Sequence, residues 1–482
     1  MNSGILRMAG SFALVALLAA GAPAQERRTL DVGGDARASA NVTIYNNNLA
    51  LVRETRSVEL GQGVTALRWK DVAQQVRPET VHVGDAEAPG AFTVLEQNYK
   101  YDVLNPSRLM ELYLDRELML VTVNPATGAQ EREQATLLST QDYSYVYRTD
   151  EGITFGHPGR VVFPEVPANF VERPTLEWLL DCRQPGARTI EASYLTYGMS
   201  WNADYVLVLK DGDSRGDLTG WVTLHNDSGI GFEDASLQLV AGQVNVVQPY
   251  SGMDYGVYAY AQTAYAPASP APQFVEEGMF EYHLYTLQRP TNLMNREQKQ
   301  IELLGADGVR LEKKYRLDGD SYYYVSEYTG AMENLPVSVW IEFDNSEDNG
   351  MGIPLPAGTI RLYTADASGG QQFIGEDAID HTPRDERVEL RVGRAFDVVA
   401  ERKQLDYEVL SSALYETEWE IRLRNRKPEP IVVEIHEPMA GDWEILDSSH
   451  EWEKESAMSL LFSVPVRPDQ EVVVTYRVRT RY

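Results

Sequence analysis

Chemistry-bearing side chains are densest between Gly375 and Glu386, where five carboxylates (Glu376, Asp377, Asp380, Asp385, Glu386) surround one imidazole, His381. Carboxylates beside an imidazole can raise its pKa, ligate a metal, or act with it as acid and base. Glu376, Asp377, Asp380 and His381 are therefore the candidate ligand-facing residues. All of them are local in sequence, whereas active sites converge from several elements. His381-Thr382-Pro383 also reads as a turn redirecting the chain between sheets. No catalytic residue, metal ligand or cofactor is assigned on this basis.

Other motifs lack the context that their chemistry needs. Gly212-Asp213-Ser214-Arg215-Gly216 matches G-x-S-x-G, but it sits in an acidic turn between two strands, with no helix to expose the serine. Asp211, Asp213 and Asp217 mimic the start of a calcium loop, yet Arg215 and Val222 occupy positions where oxygen ligands belong. Asp344 to Gly350 is a second oxygen-rich loop, so calcium stays open there. The remaining histidines (His82, His157, His225, His283, His436, His450) have no metal spacing. Gly61-Gln62-Gly63 precedes a strand and cannot cradle a pyrophosphate. Trp443 and Trp452, flanked by acids within 438–456, are placed either to stack on sugar rings or to cover a sandwich edge.

The elements that would position these residues are almost all strands. Leu176, Trp178, Leu180 and Cys182 alternate with Glu177 and Asp181, the period of a half-buried strand. Trp419, Ile421 and Leu423 alternate with charged neighbours, and Val472, Val474, Tyr476 and Val478 alternate with Thr475, Arg477, Arg479 and Arg481. Such one-dry-face strands belong to antiparallel sheets. Asn105-Pro106 marks one short helix, an N-cap followed by proline at the first position.

The expected order along the chain is a signal peptide (1–24), a disordered arm (25–40), an N-terminal β segment (41–97) and a small barrel-like β module (98–170). There follow a first β-sandwich (171–247), a flexible Tyr/Ala/Pro-rich linker (248–275), connecting strands (276–335) and a C-terminal β-sandwich (336–482). The fold class is thus all-β, with tandem antiparallel immunoglobulin-like sandwiches and an inserted barrel-like module.

The signal peptide rests on Arg7, the apolar run Phe12 to Ala20, and an Ala22-Pro23-Ala24 cleavage site. The run is too short to span a bilayer. The expected location is periplasmic or extracellular, with no transmembrane segment in the mature chain. The formal net charge is −29, which repels phosphate backbones and speaks against nucleic-acid binding. Cys182 is the single cysteine, so no internal disulfide can form and the fold rests on its core.

Two runs of residues resemble a known family. The first is Tyr194-Leu195-Thr196, Ser200-Trp201, Asp204-Tyr205, Asn226 to Gly229 and Leu239 to Asn245. The second is Gly352 to Gly358, Arg361, Tyr363, Ile374 to Glu376, His381 to Pro383 and Gly393 to Asp397. Together they are similar to the bacterial exported family of domain of unknown function 4139, over roughly 190–480. Distant relatives carry a mucoidy-inhibitor label, a phenotype linked to surface polysaccharide. The resemblance implies no catalytic residues.

The expected function is a non-catalytic β-sandwich protein of the bacterial envelope that binds or scaffolds an envelope protein or surface polysaccharide. Edge strands such as Glu471 to Thr480 would recruit a partner's extended segment. A hydrolase of cell-wall glycan or peptide using Asp380 and His381 is the first alternative. A calcium-stabilised adhesin is the second.

Overall fold

Alternating burial turns the sequence periodicity into sheets. The strand Thr175–Cys182 buries Leu176, Trp178, Leu180 and Cys182 on one face. The computed structural model describes residues 28–101, 103, 105–141, 144–165, 171–242, 244–246 and 273–482. The expected signal peptide, and the linker up to residue 272, lie outside the described residues. The architecture is all-β, with several large and mostly antiparallel sheets. Among the described residues, no helix is long and apolar enough to cross a membrane.

The chain divides into two units. One gathers the segments up to Arg37, Arg56–Val72 and Gly84–Ile190; the other gathers Ala38–Thr55, Ala73–Val83 and Glu191–Tyr482. In the first unit, a four-stranded sheet runs in the order Arg28–Val32, Gly63–Lys70, Thr175–Cys182, Phe92–Lys100. Its first strand corrects the expectation of a disordered arm. Arg28–Val32 pairs in parallel with Gly63–Lys70, placing Leu30 opposite Leu67, and Arg37–Tyr45 forms a further strand. Leu30 and Val32 are the one apolar alternation among the polar and small residues of 25–40, too brief to reveal a partner this far along the chain.

The same unit holds a five-stranded sheet, in the order Gly152–Phe155, Val146–Thr149, Gln130–Ser139, Glu117–Val123, Arg160–Val162. Its terminal strands do not pair, so the barrel-like module is corrected to an open sheet. The helix Pro106–Leu112 contributes Met110 to the sheet's small core, beside Tyr113, Leu118, Leu120, Leu137 and Tyr147. Its start follows the sequence signal: the Asn105 side chain accepts the Arg108 N–H at 2.8 Å, with Pro106 at the first turn.

In the second unit, a five-stranded sheet has the order Glu297–Arg310, Arg215–Asn226, Met199–Lys210, Gly358–Ala365, Gln371–Ile379. The C-terminal sheet has nine strands. Across it they run Asp442–Ser448, Glu471–Arg481, Leu414–Asn425, Arg387–Ser411, Ala331–Asp344, Glu312–Asp318, Ile431–Pro438, Ser459–Val466 and Glu453–Ser456. It therefore recruits Glu312–Asp318 from ahead of Pro336. Glu471–Arg481 pairs on both sides, with Leu414–Asn425 and with Asp442–Ser448, so it is not the edge strand that its sequence suggested. Residues from eight of these nine strands close on one buried cluster around Trp419, Tyr324, Tyr476 and Phe462.

That cluster encloses a charge. Arg402 and Glu437 are both fully buried and bond through both guanidinium Nη atoms, with Arg402 Nη1 donating to Glu437 Oε2 at 3.0 Å. The Tyr324 hydroxyl donates to the same oxygen at 2.6 Å, and the Arg402 guanidinium lies 4.7 Å from the Tyr323 ring centre. Burial alone would lower the Arg402 pKa. The Glu437 carboxylate overrides it and holds the guanidinium pKa above its ordinary value.

Candidate functional site

The four candidate residues lie on and just after the strand Gln371–Ile379, and they do not converge. Glu376 and Asp377 are neighbours on a strand, so their side chains leave opposite faces. Glu376 faces Arg361 at 3.3 Å, and Arg361 also holds Asp204 at 2.9 Å. Asp377 accepts the backbone N–H of Arg391 at 2.7 Å. Asp380 is exposed and its backbone carbonyl takes the Thr382 hydroxyl at 2.9 Å. His381 accepts the Ala357 N–H on Nδ1 at 3.1 Å, a bond that requires the neutral ring. Surrounding atoms push the His381 pKa down, the Asp380 carboxylate pushes it up, and His283 adds to the lowering; the net direction is down.

His381 thus braces a turn. Leu355 and Thr382 exchange backbone hydrogen bonds at 2.8 and 2.9 Å. The Tyr205 and Tyr285 hydroxyls donate to the carbonyls of Pro356 and Pro354. Buried Asn345 donates to the carbonyls of Ile353 and Pro383 at 2.8 and 2.9 Å. Gly352 to Gly358 and His381 to Pro383 are thereby stitched together as a strut.

The acidic turns are likewise engaged. Gly212 to Gly216 caps the hairpin between Met199–Lys210 and Arg215–Asn226, and Ser214 Oγ donates to the Asp211 carbonyl at 2.8 Å. Asp213 pairs with Lys313 at 2.6 Å, and Asp217 pairs with Lys210. In the second oxygen-rich loop, Asp344 meets Arg387 at 3.1 Å and Asn349 Oδ1 accepts the Arg310 N–H at 2.7 Å. Among the described residues, no cluster of three or more His, Cys, Asp or Glu could hold a metal ion. Cys182 is buried, with its Sγ 3.3 Å from the Gln184 carbonyl.

The two tryptophans separate in role. Trp443 is buried and its Nε1 donates to the Ala457 carbonyl at 2.9 Å. Trp452 leans on it at a centroid distance of 6.0 Å and keeps 39% of its surface exposed. It lines an open cleft of about 830 Å³ with Asp447, Ser449, His450, Glu451 and Glu453. The cleft floor is the outer face of Ser459–Val466, through Leu461 and Ser463.

The loop beneath Trp452 is fixed in place. Ser449 donates its N–H to the Thr475 carbonyl at 2.9 Å, and its hydroxyl accepts the Thr475 N–H at 2.8 Å. The same hydroxyl lies 2.9 Å from His450 Nδ1, and Ser448 Oγ donates to the His450 carbonyl at 2.7 Å. The arrangement is an aromatic platform ringed by carboxylates and hydroxyls on a rigid support. Sequence showed the tryptophans but not Ser449, whose role depends on a strand 26 residues away.

The first unit has its own cleft, of about 760 Å³, lined by both signs of charge. Lys70 meets Asp31 at 2.8 Å, while Arg68 and Lys100 share Glu177 at 2.7 and 2.8 Å. Burial raises the Asp71 pKa, but the Gly34 N–H, Arg173 and Arg56 outweigh it and hold the carboxyl below its usual value. Behind this cleft, buried Arg56 donates to the carbonyls of Val32, Lys70 and Asp71 at 2.9, 2.7 and 3.3 Å, with its guanidinium 4.3 Å over Trp69. Lys70, Arg68 and Lys100 are thus each held by a carboxylate in this unit.

Compared with known proteins, the chain matches no family model and no curated protein.

Proposed function

We propose that this chain is an exported, non-catalytic envelope protein that binds glycan in the Trp452 cleft. The carrying observation is the half-exposed Trp452 ring, backed by Trp443 and held over a polar cleft by the Ser449–Thr475 clasp. An aromatic face with hydroxyls and carboxylates around it suits a pyranose ring, whose C–H face stacks while its hydroxyls bond outward. Asp447, Glu451 and Glu453 make the cleft negative, which favours amino or neutral sugars and disfavours uronic acids.

The finer fold reading that accompanies this is a pair of immunoglobulin-like sandwiches. It is supported by one face of the nine-stranded sheet closing on a single core. The motifs around Tyr194 to Asn245 and Gly352 to Asp397 support membership in the family of domain of unknown function 4139. Export is supported by the first 24 residues of the sequence. The hydrolase alternative has less support, because His381 Nδ1 and the Asp377 carboxylate are both engaged by backbone N–H groups.

The test is titration of the protein with glucosamine oligosaccharides and with uronic-acid oligosaccharides, read by tryptophan fluorescence and calorimetry. The expected result is binding of the former only, weakened by Trp452→Ala roughly tenfold or more, as for a central aromatic anchor. Binding that Trp452→Ala leaves intact, or no binding to either class, refutes the assignment.

A further inference from the structure

Two phenylalanines in the second unit stand almost wholly in solvent. Phe396 is 96% exposed and Phe280 is 92% exposed, against 76% for Phe155, the next large apolar residue among those described. Each is carried on paired strand backbone, and the two have different charged neighbours.

Phe396 sits at the crest of a bulge in Arg387–Ser411. Between the pairs Pro336–Val399 and Ser338–Arg394, the strand Ala331–Asp344 advances two residues while its partner advances five. Bulges of this kind re-aim side chains. Ala395 and Val398 point into the core cluster, and the Asp397 carbonyl accepts the Arg426 N–H at 2.8 Å. Phe396 is thereby presented outward on a fixed base. Arg391 and Arg394 precede it on the same strand, both exposed and neither in an ion pair among the described residues. Asp397 follows the ring, also exposed and in no ion pair among the described residues, so cations exceed carboxylates by one on this bulge, an unusual balance in a chain of net charge −29.

Phe280 occupies the two-residue turn closing the hairpin between Phe274–Met279 and Tyr282–Leu287, where Met279 pairs with Tyr282. Its φ is 59°, a left-handed value. Hairpin turns place Asn, Asp or Gly at such positions because bulky side chains are strained there. The residue fits for its side chain, not its backbone. Exposed Glu277 and Glu281 flank it, while Glu276 is bound by His283 at 2.7 Å.

We propose that these two surfaces bind each other between two copies of this chain, the basic Phe396 bulge of one seating the acidic Phe280 hairpin of the other. A two-fold arrangement repeats the contact, so that each copy gives and receives once. Paired aromatic anchors with complementary charged rims are the usual make-up of such contacts. The interaction is independent of glycan binding at Trp452.

Sedimentation velocity of the full mature chain across a concentration series tests it. The wild type forms a dimer. Phe396→Ser and Phe280→Ser each weaken self-association about tenfold or more. The pair R391E/R394E and the pair E277R/E281R each give monomers with unchanged circular dichroism and melting temperature. Mixing those two charge-reversed chains restores a one-to-one dimer, since every contact then joins opposite signs. A wild type that stays monomeric overturns the proposal. So does a dimer that these substitutions leave intact, or reversed chains that fail to pair on mixing.

Discussion

Replacing Glu437 by Gln keeps the shape of the C-terminal core while removing the counter-charge that the buried Arg402 bonds. Both side chains are fully buried, and Arg402 Nε makes no hydrogen bond among the described residues. Charge compensation therefore rests on the two Nη–carboxylate contacts. Breaking a buried pair from one side costs about 3–5 kcal/mol, because the remaining charge keeps its desolvation penalty without its attraction. Tyr324→Phe removes only the 2.6 Å charge-assisted hydrogen bond and should cost about 1.5–3 kcal/mol. The double change Arg402→Met with Glu437→Leu removes both charges and should cost less than Glu437→Gln alone. Urea unfolding followed by tryptophan fluorescence measures this, since the Trp419 ring lies 5.5 Å from the Arg402 guanidinium. With a slope of about 3 kcal/mol/M, the Glu437→Gln midpoint falls by roughly 1–1.7 M. A shift under about 0.3 M, or a double variant no better than Glu437→Gln, refutes the charge argument.

Two further outcomes follow from buried and half-buried groups. His381 has a folded pKa below its ordinary 6.5, so the unfolded chain takes up a proton that the folded turn resists. Its contribution to stability is complete above about pH 6.5 and is lost as pH falls toward the folded value. Melting temperatures at pH 7.5 and 5.5 should differ less for His381→Asn than for the wild type, and equal differences would count against the neutral-ring bond to Ala357. Arg56→Met leaves three carbonyls of the first unit without their donor and should cost about 3 kcal/mol or more. Arg53→Met, on the same strand but in a half-exposed ion pair with Glu191, should cost under about 1 kcal/mol in the same thermal melt.

Strand positions were legible because alternation is local. The runs around Gly63–Lys70, Thr175–Cys182, Met199–Lys210 and Leu414–Asn425 appear where period-two burial places them. The helix at Pro106 was legible from its cap alone. Pairing was not legible, because a strand's neighbours are set by distant segments. Arg28–Val32 joins a strand that starts 35 residues later, and Glu471–Arg481 is enclosed by Asp442–Ser448, whose sequence reads as loop.

The candidate site shows the same limit from the side of chemistry. Proximity in sequence drew attention to Glu376, Asp377, Asp380 and His381, but adjacent strand residues point apart, so a dense acidic run disperses its own side chains. Alternation held a better signal. Val52-Glu54-Arg56-Val58 and Val398-Ala400-Arg402 place charges on faces that are otherwise apolar, as does Val433-Ile435-Glu437. A charge in phase with the core must find a partner there or take no part in the sheet. Arg56 finds backbone carbonyls, and Arg402 finds Glu437 from a strand that is not its neighbour. Phase with the core marks the charges that hold this fold together; the groups free to meet a ligand or a second chain are those, like Trp452 and Phe396, that the sheets hold out of it.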